Sequence, residues 1–218
     1  MNASAQPDTH KMVVVHRVFR REFRILPDLI TQVPEGDTQR AKLLAGHLAD
    51  IVTALHHHHE AEDELLWPPL LERAQPHQEL VHRMEKQHAA LSDALGRIEK
   101  LGPIWAATAR KNDGERLASA LRDASAVLDQ HMAEEEAEIL PIVRENLTVA
   151  EWEAIGERAA TQLKDKRKQL LLLGALLEEA TPEEERVFLA DLPTPVRVLW
   201  KIAGRRQYAA YARVVRTA

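Results

Sequence analysis

His58 and Glu62, and again His131 and Glu135, pair an imidazole with a carboxylate four residues later, and each glutamate is followed six residues on by a proline, Pro68 and Pro141. On a helix advancing about 100° per residue, positions i and i+4 share a face, so each pair can offer a nitrogen and an oxygen to one point. That is metal-ligand chemistry. Upstream of each pair stands a lone histidine: His16 in His16-Arg17-Val18-Phe19, and His88 in His88-Ala89-Ala90-Leu91, 42 residues before His58 and 43 before His131. A unit of lone-histidine helix, loop and His-x-x-x-Glu helix thus occurs twice, the pattern of a bundle built from two equivalent helical hairpins.

The elements that must hold these residues are helical, since strand signals are nearly absent and 3.6-residue periodicity recurs. Helices are predicted over residues 9–33, with Pro27 as a point of kinking, and 38–67, closed by Pro68-Pro69. A third covers 76–101, closed by Gly102-Pro103, and a fourth covers 115–140 after a loop containing Asn112-Asp113-Gly114. Thr148-Val149-Ala150-Glu151 has the form of a capping box opening a fifth helix to about residue 179, and Thr181-Pro182 and Thr194-Pro195 open two more.

Helical phase sorts the histidines. With His58 at the origin, Leu44, Ile51, Leu55, Glu62 and Leu65 fall within about 60° of it, so the His58/Glu62 pair lies in the apolar stripe. His56, His57, Glu60 and Asp63 fall on the polar side, and His59 sits on the flank at about 100°. On the fourth helix, Leu117, Ala124, Val127, Leu128, Glu135 and Ile142 cluster around His131 in the same way. His16 lies among Met12, Val13, Phe19 and Phe23, and His88 among Val81, Met84, Leu91 and Leu95. One inward histidine is ordinarily a hydrogen-bonded core residue, but four with two inward carboxylates would leave several buried polar groups uncompensated without a metal.

The absence of cysteine removes disulfides, thiolate zinc and iron-sulfur clusters, leaving histidine and carboxylate as the strong ligands. No apolar run approaches the roughly 18 residues of a membrane span, and residues 1–9 lack the basic-then-apolar form of a signal peptide, so a cytoplasmic location is expected. All eleven histidines lie between His10 and His131. Residues 195–218 hold Arg197, Lys201, Arg205, Arg206, Arg213 and Arg216 and no acid; the remainder carries 23 cations against 34 acids. An acidic body therefore bears a basic tail.

Over about residues 8–146, the doubled His-x-x-x-Glu-x-x-x-x-x-Pro motif resembles the hemerythrin-like proteins of the His-His-Glu cation-binding family. The resemblance implies an all-α fold, an antiparallel four-helix bundle, with residues 147–218 as a helical C-terminal extension. It also implies two non-haem irons bridged by two carboxylates and an oxo or hydroxo group, with His16, His58, His88 and His131 as terminal ligands and Glu62 and Glu135 as bridges. Mixed imidazole and carboxylate donors suit iron better than magnesium or calcium. Oxygen-carrying members resemble His-x-x-x-His on the third helix, where this chain has Met84 through His88. The resemblance therefore implies a less saturated centre, open to small oxidants (O₂, hydrogen peroxide, nitric oxide), that acts by redox rather than by reversible carriage. His59, Glu85 and Glu138 are the candidates to complete it.

A ferritin-like di-iron carboxylate site would need Glu-x-x-His on two helices, and here Glu79-x-x-His82 and Glu85-x-x-His88 fall on one. The alternative is an iron- or oxygen-sensing module without turnover, in which the centre's state alters the C-terminal arm. The arm's cations are expected to pack on the acidic bundle or a second subunit. Nucleic acid or anionic lipid, suggested by Trp200, Tyr208 and Tyr211 among the cations, is the less favoured partner.

Overall fold

The computed structural model describes residues 6–217, so the expectation for the N-terminus falls partly outside the described residues. They contain helices and no strand. Four long helices form an antiparallel bundle: α1 (His10–Thr31), α2 (Thr38–Leu65), α4 (Gln78–Thr108) and α5 (Lys111–Glu134). α1 packs on α5, α2 on α4, and the two hairpins close the square through α1 against α2 and α4 against α5. α3 (Trp67–Arg73) links the hairpins, and α5 runs through a π turn (Glu135–Ile139) into α6 (Leu140–Asn146). At one end, Gly36 in the α1–α2 turn has φ +86°, and its N–H donates to Ala109 O in the α4–α5 turn at 3.2 Å, tying the two hairpin tips together.

The interior is layered. Phe19, Phe23, Leu44, Ile51, Leu55, Leu91, Leu95, Trp105, Leu121 and Leu128 fill the end near the hairpin tips. Met12, Ala61, Leu66, Trp67, Leu70, Val81, Met84, Ile139, Leu140 and Trp152 fill the other. Between these apolar layers lies a band of buried histidine and glutamate.

Several boundaries differ from expectation, each for a packing reason. The prolines after the two motifs do not end the chain's helical course. Pro68 sits in the first turn of α3, where a missing N–H costs nothing because that donor has no partner within the helix, and Pro141 follows directly on the π turn that carries α5 into α6. α1 continues through Pro27 as one helix. α4 passes Gly102-Pro103 and ends only at Ala109, in the left-handed region at φ 49°. An interior proline costs about 3 kcal/mol, but the added turns bury Trp105 to 1 % exposure, which is worth on the order of 4 kcal/mol by area. Asn112-Asp113-Gly114, expected as loop, is the first turn of α5. A Cβ on Gly114 would meet Trp105 Nε1 at 2.9 Å, so this glycine admits an indole rather than a turn.

The expected fifth helix is two: α7 (Val149–Gln162), opened by the Thr148/Glu151 capping box, and α8 (Lys166–Glu178), opened by Asp165, which accepts from the N–H groups of Arg167 and Lys168. α9 (Pro182–Ala190), α10 (Thr194–Leu199), a π turn (Trp200–Gly204) and α11 (Arg205–Arg216) follow. α7 packs along α2, and α8 and α11 lie against α1 and α2. Beneath α8 and α11, Glu22 is 1 % exposed and contacts Arg21, His47 and Arg216. Arg216 reaches Glu22 of the bundle as expected of the arm and also pairs with Glu178, whereas Arg205 pairs with Glu185 inside the extension; Lys201, Arg206 and Arg213 make no ion pair among the described residues.

Candidate metal centre

The amphipathic phase of each bundle helix delivers one part of the site. His16 comes from α1, His58, His59 and Glu62 from α2, His88 from α4, His131 from α5 and Glu135 from the π turn, and all are buried. They fall into two groups: His16, His58, Glu62 and Glu135, and His59, Glu62, His88 and His131. Within each, one donor atom per residue lies within 4.8 Å of every other, so either group could hold a metal ion. Glu62 belongs to both. Its Oε1 is 3.2 Å from His58 Nε2 and its Oε2 is 3.5 Å from His88 Nε2, one oxygen turned to each group. Glu135 Oε2 lies 3.4 Å from His16 Nε2 and 3.8 Å from His131 Nε2.

Outer hydrogen bonds set which ring nitrogen faces inward. His16 Nδ1 is 2.8 Å from Glu136 Oε1, which also accepts from Arg20 at 2.6 Å. His88 Nδ1 is 2.6 Å from Asp63 Oδ1, which also accepts from Trp67 Nε1 at 2.8 Å. His131 Nδ1 is 3.0 Å from Gln87 Oε1, whose amide donates to Glu134 at 2.7 Å. With an acceptor behind each Nδ1, that nitrogen carries the proton and Nε2 presents its lone pair inward. His88 Nε2 and His131 Nε2 then face each other at 3.2 Å, lone pair to lone pair, and His16 Nε2 lies 3.2 Å from His58 Nε2.

This arrangement repels itself without a cation. His59 Nε2 and both oxygens of Glu62 and of Glu135 are buried without a hydrogen-bond partner. The short distances from these oxygens to the imidazoles are contacts at poor hydrogen-bonding angles. Burial, with neighbouring Glu135 and Asp63, pushes Glu62 well above the usual carboxylate range, and burial likewise raises Glu135. Burial and the crowding of imidazoles push His58 and His59 down, and His131 down to about 3. The orphaned atoms, at about 1–3 kcal/mol each, cost an amount comparable with the whole stability of a domain. A cation meets every one of these groups at once, so the residues fit a metal.

All six residues singled out in the sequence are brought together. His59, left on the flank by helical phase, joins them: its ring stacks on His88 at 4.2 Å between centroids. Glu85 and Glu138, its rival candidates, stay outside, the first paired with His82 and the second 3.9 Å from Arg83. Asp63, Gln87 and Glu136 were missed; periodicity placed Asp63 on the polar side, and although exposed it reaches back to His88. Their only sequence signal is adjacency to the ligand positions. His56 and His57, expected in solvent, are half-buried, and His56 lies 3.4 Å from Glu99.

No curated protein and no solved structure gives a match to this chain. The family model described as the hemerythrin HHE cation binding domain matches residues 8–143, a span that takes in the four bundle helices and every residue of both candidate groups, and the chain belongs to this family.

Proposed function

We propose that the chain is a non-haem di-iron protein, with His16, His58, Glu62 and Glu135 holding one iron and His59, Glu62, His88 and His131 the other. The supporting observation is the pair of four-residue groups that share Glu62 across inward-facing imidazole lone pairs. Donors that are all nitrogen and oxygen, with no thiolate in the chain, suit iron among redox-active metals. Irons so held supply one-electron steps to O₂, hydrogen peroxide or nitric oxide.

The chain's own residues prepare that chemistry. Asp63 and Glu136 place negative charge behind His88 and His16, which makes these imidazoles stronger donors and locks their ring orientation. The apolar layers on either side exclude water, so charges inside act at low dielectric. The two groups are unequal, with two imidazoles in the first and three in the second. With four protein donors in each group, an ion held there would have further coordination positions open to a small molecule.

The test is metal analysis and an absorption spectrum of protein produced in iron-rich medium. About two irons per chain with near-ultraviolet charge-transfer bands are expected for donors of this kind; stoichiometric zinc, or a metal-free protein after iron loading, overturns the reading. Stopped-flow mixing of the reduced protein with oxygen separates redox from carriage. Direct conversion to the oxidised centre supports redox, and a stable reversible adduct supports binding alone.

A further inference from the structure

Among the described residues no helix is long and apolar enough to cross a membrane, yet the C-terminal segment has the makings of a surface contact. Of its exposed cations, Arg205 pairs with Glu185, while Lys201, Arg206 and Arg213 make no ion pair among the described residues; Arg197, half-buried, donates only to Thr194 Oγ1 at 2.9 Å. Beside them Val198 is 48 % exposed, Leu199 52 % and Ile202 71 %. Ile202 stands three residues from Leu199 and four from Val198, so it shares a side of the helix with both. The rotation of the segment is fixed from the opposite side. Trp200 is buried, and Gly204 packs so closely that a Cβ there would meet Trp200 at 2.5 Å and Leu170 at 3.1 Å. The aliphatic face therefore cannot turn inward without dislodging the indole.

We propose that this face docks on an anionic lipid surface, with Leu199, Ile202 and Val198 entering the boundary between headgroups and acyl chains and Lys201 and Arg206 lying among the anionic headgroups. Scattered exposed aliphatics are ordinary on protein surfaces. Here they are contiguous, they flank unpaired cations, and they lie in a stretch of +6 while the rest of the chain is −11. An anionic surface attracts the tail and repels the acidic body, which orients the protein with the bundle held away from the lipid. Nucleic acid would satisfy the cations but leave Ile202 and Leu199 against phosphate and water, and it would find no exposed aromatic ring to stack on, since Trp200 and Tyr208 are buried and Tyr211 is half-buried. The acidic body of a second copy would likewise match the charge and strand the aliphatic side chains.

The experiment is co-sedimentation of the full chain with vesicles of phosphatidylglycerol and phosphatidylcholine, against phosphatidylcholine alone, at two salt concentrations. Binding only to the anionic vesicles, weakened by salt, is expected. Lys201→Ala and Arg206→Ala should each weaken it about fivefold, and Leu199→Ser with Ile202→Ser about tenfold or more. All four side chains are exposed, and unchanged helicity and melting verify that the variants fold. Absence of binding to the anionic vesicles overturns the proposal. So does binding indifferent to Leu199 and Ile202, which would leave charge alone. A concentration-dependent dimer abolished by the aliphatic pair, without lipid binding, would assign the face to a second copy. Binding to a DNA fragment that needs the cations and ignores the aliphatic pair, without lipid binding, would assign it to nucleic acid.

Discussion

Asp63 offers the sharpest test of how the centre is held, because it touches no proposed metal position and was invisible to periodicity. Its Oδ1 accepts from His88 Nδ1 at 2.6 Å and from Trp67 Nε1 at 2.8 Å. In Asp63→Asn the amide oxygen can keep both bonds, so only the charge is lost. A hydrogen bond to a charged acceptor is worth about 1.5–3 kcal/mol and one to a neutral acceptor about half that. The difference, about 1–1.5 kcal/mol, is roughly a tenfold weakening of metal affinity if it is felt at His88. In Asp63→Ala both bonds go. Affinity should then fall by about 10–100-fold, and the buried Trp67 indole N–H, left without a partner, should cost the metal-free protein about 1–3 kcal/mol as well. The assay is anaerobic competition for iron(II) against a chelator of known affinity, paired with thermal melts of the metal-free proteins. The expected signature is weaker metal binding in both variants and lower metal-free stability in the alanine variant alone. Unchanged affinity in Asp63→Asn, or an equal loss in Glu60→Gln at the exposed acid nearby, would refute the argument.

Further outcomes are expected. His58→Ala and Glu62→Ala should abolish most bound metal while His56→Ala leaves it near wild type; equal losses at positions 56 and 58, read by metal analysis, would mean the inward face is misassigned. Glu22 is opposed by burial, but its hydrogen bond to His47 and the adjacent Arg21 guanidinium outweigh that and hold it at about 2, below its ordinary 4.5. A depressed carboxyl stabilises the fold above the unfolded value, so up to about 3 kcal/mol should be lost as pH falls from about 4.5 toward 2. Glu22→Gln should flatten that part of the stability profile measured by denaturant titration. In Gly174→Ala the new Cβ would lie 2.2 Å from the rigid Tyr208 ring, so α11 should lift off and become protease-sensitive at a cost of about 1–3 kcal/mol, with metal content retained. Chelation of the metal should lower the melting temperature, because the orphaned oxygens of Glu62 and Glu135 then lose their counter-charge.

The repeat was legible because its two halves carry the same residue types at the same phase, and phase survives without knowledge of partners. The four bundle helices and six of the seven converging residues follow from it. What escaped depends on tertiary neighbours. Gly114 reads as a turn until Trp105 is known to lie against it, and Gly102-Pro103 reads as a stop until the same indole is seen to be buried beyond it. His59 at about 100° is ambiguous for a helix flanked on both sides, and only the approach of α4 turns that flank into an interior. Val127, placed inward by phase, is 39 % exposed. The π turn at Glu135, with its altered residue spacing, has no sequence mark distinct from the helix around it.

Neither hairpin owns a complete site. His16, His58, His59 and Glu62 belong to the first and His88, His131 and Glu135 to the second, and each four-residue group draws on both. Metal loading and hairpin association are therefore one event in the arrangement proposed, and the ion acts as a latch between halves of the chain. Because Glu62 serves both groups, the first ion aligns a carboxylate and two hairpins that the second would otherwise have to order, so loading should be cooperative and half-filled molecules scarce. A further consequence concerns biosynthesis. Until residue 131 has emerged and folded back neither group is complete, and the first must wait for residue 135, so the nascent first hairpin holds imidazoles that can take up a metal only weakly. The division of each group between the hairpins thereby delays tight capture until the whole bundle is present.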